Sequence, residues 1–259
     1  MRPTGLKARI RSGAPTLGSW LTLAHPAIAE IMAAAGFDWI VIDLEHSVVS
    51  LRETEELIRV IEAAGVAPLV RLTSNDANLI KRVMDAGAHG IVVPMIGSAA
   101  EGQAAVDAVY YPPRGRRGVG LGRAQAYGAK FKDYIAALEA HAIVVLQIEH
   151  VDAVAVLQEI LAVGGVDATI IGPYDLSASM NKPGEYDDAD VARVLERYET
   201  LSLQHGLPMG YHVVEPEPER VRARIARGYR FVAYSVDFLF LGASCRSGVA
   251  ELRTTIPGP

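Results

Sequence analysis

Apolar positions along the chain alternate between two patterns. Short, continuous, β-branched runs read as strands buried on both faces, and longer Ala-rich segments with apolar residues three and four apart read as amphipathic helices. The strand runs are TLGSWLTL (16–23), WIVID (39–43), APLVRL (67–72), GIVVPMI (90–96), IVVLQIE (143–149), ATIIG (168–172), LPMGYHV (207–213) and FVAYSV (231–236). Helical segments such as LRETEELIRVIEAAG and DADVARVLERYETLSLQHG lie between them. Gly36, Gly65, Gly87, Gly165, Gly206 and Gly228 close helical segments ahead of the next strand. There the lack of a Cβ lets the chain turn left-handed.

Eight strand–helix units in 259 residues predict an α/β fold of the (β/α)8 TIM-barrel kind. A doubly wound open sheet is the competing arrangement; it suits eight near-equal units less well and would need a dinucleotide loop. The segment GVGLG (118–122) follows PPRGRR rather than a strand, so it does not fit that role. No linker or low-complexity stretch splits the chain, which predicts one domain over 1–259. Its one long irregular insert, PPRGRRGVGLGRAQAYG (112–128), is of a length usually tied to function or an interface. Its arginines, Arg114, Arg116, Arg117 and Arg123, suit a cover for an anionic substrate, a subunit contact, or a plain solvated loop.

Composition narrows the classes. Half the residues are hydrophobic, ample for a core, and the net charge of −5 gives no basic footprint for nucleic acid. There is no apolar run of about 18 residues, and no apolar signal core follows the basic MRPTGLKARIRSG, so neither a membrane span nor a secretory leader is expected. The single Cys245 cannot form an internal disulfide, and FLFLGASCRSGVAEL reads as an apolar helix. A soluble cytoplasmic protein is expected.

Catalytic groups of a barrel sit at the C-terminal ends of its strands. The second strand ends in Asp43, Glu45 and His46, the third in Arg71, the fifth in Gln147 and Glu149. The sixth runs through Gly172, Pro173 and Tyr174 into Asp175, and the seventh ends in His212. Glu149 and Asp175 stand one βα unit apart. Such hard oxygen ligands suit Mg²⁺ or Mn²⁺ better than a structural zinc; an acid–base carboxylate pair and simple loop solvation remain open. His46 titrates in the range useful for proton transfer, though a surface or N-cap histidine is equally compatible with its position. Arg71 needs an anion, either a carboxylate or a substrate. Metal, fixed cation and base together describe a site for making an enolate. None of the five lysines closes a strand, so iminium chemistry is not expected.

The stretches AGFDWIVIDLEHS, PLVRL, RVMDAGAHGIVVPMI, YYPPRGRRGVG, VLQIEH and GVDATIIGPYDLSASM, in order over about residues 17–240, resemble the metal-dependent (class II) pyruvate aldolases of the HpcH/HpaI family. That resemblance implies a phosphoenolpyruvate/pyruvate-binding type of TIM barrel. It also implies reversible cleavage of a 4-hydroxy-2-oxo acid, of the 2-keto-3-deoxy sugar acid type, into pyruvate and an aldehyde through a metal-bound pyruvate enolate. Glu149 and Asp175 would be the metal ligands, and the Gly172–Pro173–Tyr174–Asp175 turn would offer backbone N–H groups to the pyruvate carboxylate. Arg71 would face the enolate oxygen, and His46, through metal-bound water, would be the base, oriented by Asp85. Gln147 would line the pocket, with Asp43 and Glu45 positioning water and the histidine loop. The metal would be Mg²⁺, Mn²⁺ or Co²⁺, and the assembly a homo-hexamer built as a trimer of dimers. Where the family often carries an aliphatic residue, this chain has His212, which suggests a hydroxylated or acidic aldehyde. Tyr174 is bulkier than the family's usual small residue. An oxaloacetate decarboxylase or a macrophomate-synthase-like enzyme would use the same site, and a non-catalytic 2-oxo-acid sensor is a remoter reading.

Overall fold

The structure, a computed structural model, describes residues 4–256. All eight predicted strands form: β1 (Thr16–Leu21), β2 (Trp39–Asp43), β3 (Ala67–Arg71), β4 (Gly90–Val93), β5 (Ile143–Ile148), β6 (Ala168–Ile171), β7 (Met209–Val213) and β8 (Phe231–Val236). They pair in parallel in sequence order, and β8 returns to β1 to close the barrel. The expected open-sheet competitor is thereby excluded. Strand ladders stop short of several expected ends, so Glu149 and Gly172 lie one residue past β5 and β6, where the backbone turns into the mouth.

The helices are α1 (Leu6–Arg11), α2 (Pro26–Ala34), α3 (Leu51–Ala63), α4 (Ala77–Ala86), α5 (Ala99–Val109), α6 (Phe131–His141), α7 (Val151–Ala155), α8 (Leu157–Leu161), α9 (Pro173–Ser179), α10 (Ala189–His205), α11 (Pro218–Ala226) and α12 (Asp237–Arg253). Local sequence sets their ends. Ser50 and Glu53 form a reciprocal capping box at the start of α3, and Gly87 closes α4 at φ 103°.

Two apolar layers hold the barrel. Outward side chains of the strands pack under the helices, and inward ones fill the interior, where Trp39 stacks on Phe231 at 4.0 Å between centroids. Gly18 of β1 makes room for that stack, since a Cβ there would sit 2.0 Å from the Trp39 ring. At the N-terminal end of the strands α1 inserts Leu6 and Ile10 into the same interior cluster. Lys7 goes in beside them, 3% exposed, donating to Tyr110 Oη at 3.0 Å and ion-paired with Asp167 at 3.2 Å. Lys7 is therefore a buried strut, at the end of the barrel opposite the strand C-termini.

The predicted insert also differs from its simplest reading. It leaves α5 at the N-terminal side of the barrel and is fastened there rather than across the mouth. Arg123 pairs with Glu62 on α3 and donates to Ala86 O, Arg117 pairs with Asp85 on α4, and Arg114 pairs with Glu139 on α6. It does not cover its own chain's strand C-termini. The helix carrying Cys245 forms as α12, but of its residues only Asp237 is buried; Phe238, Leu241, Val249 and Leu252 are each about half exposed. No helix among the described residues is long and apolar enough to cross a membrane.

Candidate active site

The ladder between β2 and β3 sets Asp43 directly beside Arg71. Arg71 Nε and Nη2 donate to Asp43 Oδ1 and Oδ2 at 2.9 and 2.7 Å, a planar two-point pairing that fixes the guanidinium. Arg71 Nη1 also lies 3.1 Å from Glu45 Oε2. The anion that a strand-end arginine requires is thus supplied by the chain itself. The remaining face of Arg71 looks into the mouth, with its carbon centre 5.6 Å from the Trp20 ring.

Asp43 serves a second purpose. Its Oδ1 accepts from the backbone N–H groups of Glu45 (3.0 Å) and His46 (3.4 Å), and its carbonyl accepts from the Ser47 hydroxyl. The turn that carries His46 is therefore pinned to the carboxylate that pins Arg71. His46 stands on the rim, its side chain 68% exposed and its Nε2 3.9 Å from Glu45 Oε2.

Across the barrel, Gln147 closes β5 with Glu149 two residues on. Gln147 Nε2 donates to Glu149 Oε1, while Gln147 Oε1 is buried without a partner. Glu149 is 4% exposed and packs against Gly172, where a Cβ would lie 3.0 Å from Glu149 Cγ. Burial, then the negative charges of Glu45 and Asp175, push the Glu149 carboxyl up to about 8. Burial likewise raises Glu45, whose Oε2 is paired in charge with Arg71 but receives no hydrogen bond. Asp175 is exposed in the first turn of α9, beside the same group. Asp43, Glu45, Glu149 and Asp175 thus share one guanidinium at this end of the site, which is locally short of positive charge.

The features that fit a divalent cation at Glu149 and Asp175 are hard oxygens, a carboxyl pushed up first by burial and then by its acidic neighbours, and a buried amide oxygen with no donor. Among the described residues no three His, Cys, Asp or Glu side chains converge to hold an ion by themselves. Two protein carboxylates would leave the other coordination positions to substrate and water.

The turn after β6 offers fewer donors than expected. The Gly172 N–H is spent on Ile148 O at 2.9 Å, because the β5–β6 ladder runs one bond further, and Pro173 has none to give. Tyr174 and Asp175 keep the first-turn N–H groups that no helical carbonyl accepts.

A cavity of about 630 Å³ lies beside these groups, though Asp43, Glu45, His46 and Glu149 are not among its lining residues. Arg71, Gln147, Gly172, Pro173, Tyr174, Asp175 and His212 all line it. The sequence reading missed Trp20, Tyr186, Tyr211 and Arg224, which line it too. Trp20 stacks on His212 at 4.8 Å and 12°. Its only sequence signal was an aromatic near the end of β1. His212 Nε2 lies 3.0 Å from Ser235 O, so it carries the proton and donates, and burial drives the ring's pKa down to about 4. The imidazole is neutral, with Nδ1 left as an acceptor.

Asp85 is the sequence-predicted residue that the structure does not bring to the site. It lies in the last turn of α4, a helix of about 15 Å that runs from the mouth back toward the N-terminal ends of the strands. Its carboxylate pairs with the buried Arg117 and lies 3.4 Å from Gln125 Nε2. Within one chain it cannot orient His46. Lys7, the most buried of the lysines, lies at that same far end, and none of the five lines the cavity among the described residues.

The chain is similar to known proteins over nearly its whole length. The family model described as HpcH/HpaI aldolase/citrate lyase matches residues 16–242. The chain is 36% identical over 249 residues to a hydroxypyruvate/pyruvate aldolase of Roseovarius nubinhibens, covering 96% of each. It is 37% identical over 244 residues to a 2-dehydro-3,6-dideoxy-6-sulfogluconate aldolase of Pseudomonas putida, covering 94% of each. The crystal structure of an HpcH/HpaI aldolase/citrate lyase family protein from Burkholderia cenocepacia superposes with a TM-score of 0.91 at 32% identity, over 96% of this chain and 99% of that one.

Proposed function

The chain belongs to the HpcH/HpaI aldolase/citrate lyase family, an enzyme of the carbon–carbon lyase class, and from that premise we propose that it is a divalent-metal-dependent pyruvate aldolase. Its reaction is the reversible cleavage of a 4-hydroxy-2-oxo acid to pyruvate and an aldehyde. The observation that carries the reading is the carboxylate cluster at the mouth, with Glu149 only 4% exposed and its carboxyl pushed up to about 8 by burial and then by Glu45 and Asp175.

Glu149 and Asp175 would hold Mg²⁺, Mn²⁺ or Co²⁺, which when bound supplies positive charge to the oxygens of a 2-oxo acid. The rest follows from the chain's own groups. Tyr174 and Asp175 N–H groups would receive the pyruvate carboxylate. Arg71, immobilised by Asp43, presents a fixed cation to the keto oxygen, where charge develops as the C3–C4 bond breaks; such preorganised charge is worth about 3–4 kcal/mol of barrier. Gln147 would orient the pyruvate unit through its amide. His46, on the pinned turn, would take the proton from the C4 hydroxyl in cleavage and pass a proton to C3 of the pyruvate enolate; in addition it would remove a pyruvate methyl proton and protonate the aldehyde oxygen. The neutral His212, with Nδ1 free, would accept from a hydroxyl of the aldehyde portion. This favours a hydroxylated aldehyde, as the carbonyl-bound imidazole has no charge for an acid.

An oligomer is part of the proposal. The half-exposed apolar side chains of α12 and the openness of His46 suit a neighbouring subunit at the mouth, and a homo-hexamer is the expected form. Oxaloacetate decarboxylation remains an alternative use of the same groups.

The test is aldol addition of pyruvate to glycolaldehyde, followed by product chromatography with added Mg²⁺ or Mn²⁺ and after EDTA treatment. Adduct formed only with metal supports the proposal. Pyruvate release from oxaloacetate with no adduct under any metal would replace it with the decarboxylase.

A further inference from the structure

The cavity does not end at His212. It continues past Tyr186 and Tyr211 to α11, where Arg220 and Arg224 face it together with Arg227 just beyond. Tyr174, Asp175, Tyr186 and Tyr211 line the same cavity, so the Asp175 end and the Tyr211 end belong to one space.

The three guanidinium groups differ in what holds them. Arg220 donates to Glu217 at 2.7 Å and pairs with Glu215, the one carboxylate of this outer chamber's lining, at 3.3 Å. Arg227 donates to Glu199 at 2.6 Å. Arg224 has no carboxylate partner among the described residues. Its Cζ lies 3.8 Å from the centre of the Tyr211 ring, and its Nη2 donates to Tyr211 Oη at 3.0 Å. Tyr211 accepts that bond and keeps its own proton to donate, and burial holds the phenol neutral by raising its pKa. A half-buried guanidinium with most of its N–H groups unspent, on a wall with a hydroxyl donor, is built to receive an oxyanion.

We propose that Arg224 and Tyr211 form an anion subsite that reads the far end of the aldehyde partner, so that the preferred aldehyde carries a terminal carboxylate, sulfonate or phosphate. Which molecule enters rests on the aldolase reading; binding of an oxyanion here does not. His212 and Arg224 then divide the task, the first reading a hydroxyl near the reacting carbon and the second a charge at the end of the chain.

Calorimetric titration of the intact protein tests the subsite without turnover. The probes are glycerol 3-phosphate, 2,3-dihydroxypropane-1-sulfonate and 4-hydroxybutanoate, with glycerol as the neutral reference. The wild type should bind at least one anion at least about tenfold more tightly than glycerol, and the ranking distinguishes tetrahedral from planar oxyanions. Arg224→Met should lose that advantage, Arg224→Lys should keep part of it, and Tyr211→Phe should weaken it by a smaller factor. Circular dichroism of each variant separates lost binding from lost fold, and Tyr211→Phe carries the test if Arg224→Met does not fold. In turnover, the kcat/KM ratio of glyceraldehyde 3-phosphate to glyceraldehyde should fall about tenfold in Arg224→Met, chiefly through KM. No anion preference in the wild type, or an equal preference in folded Arg224→Met, overturns the subsite. Absence of adduct with both aldehydes, alongside Arg224-dependent anion binding, would count against the aldolase reading alone.

Discussion

His212 gives the sharpest stability prediction. Its ring is stacked on Trp20, its Nε2–H is committed to Ser235 O, and burial is the main reason its pKa falls from 6.5 to about 4. Arg71 opposes protonation as well, while the Ser235 carbonyl and the charges of Asp43 and Glu215 favour it less strongly. Between these two pH values the unfolded chain binds a proton that the folded chain refuses, so folding stability is fully present above pH 6.5 and drains away as the pH falls toward 4. At about 1.4 kcal/mol per pKa unit the ceiling is about 3 kcal/mol, and because the ring lines an open cavity, screening by water reduces this to about 2 kcal/mol. For a domain of this size that is a melting shift of about 4–8 °C. Gln can keep the donor to Ser235 O without titrating. Melting curves from pH 4.5 to 7.5 should therefore converge for wild type and His212→Gln as acid is added, the wild type losing its lead. Parallel curves across the whole range would refute the buried neutral imidazole.

Two further outcomes follow from packing. Gly172→Ala places a Cβ 3.0 Å from Glu149 Cγ and must displace that carboxylate, so Mn²⁺ affinity measured by calorimetry should weaken about tenfold with little change in melting temperature. Lys7→Met removes one partner of the buried Lys7–Asp167 pair while Arg11 still holds Asp167 at 3.1 Å, so urea titration should show a loss of about 2–3 kcal/mol rather than the larger cost of an orphaned charge.

The barrel was legible because its strands are continuous apolar runs and its helices are punctuated by glycine, signals that need no tertiary information. The strand ends carrying Glu149, Asp175, Arg71 and His46 were legible for the same reason, since barrel topology places all C-terminal ends on one rim. Pairing was not legible. That Asp43 rather than substrate fixes Arg71 depends on the β2–β3 register, and the helical direction that carries Asp85 away from the rim counts for more than its closeness in sequence to the third strand. The burial of Lys7 was not legible because α1 is only six residues long and its three basic residues, Lys7, Arg9 and Arg11, hide the inward pair Leu6 and Ile10. Tyr211 and Arg224 were invisible for a similar reason: they face outward from the strand and inward from the helix, and nothing in either segment alone reports the space between them.

The central claim, a metal-dependent pyruvate enolate made by residues at the strand C-termini, is tested most directly by exchange of the pyruvate methyl protons in D₂O followed by NMR. The account predicts exchange with Mg²⁺ or Mn²⁺, its loss with EDTA, and a fall of at least about 100-fold in His46→Ala and Arg71→Lys. Exchange that persists after metal removal, or that is unchanged in both variants, would contradict it.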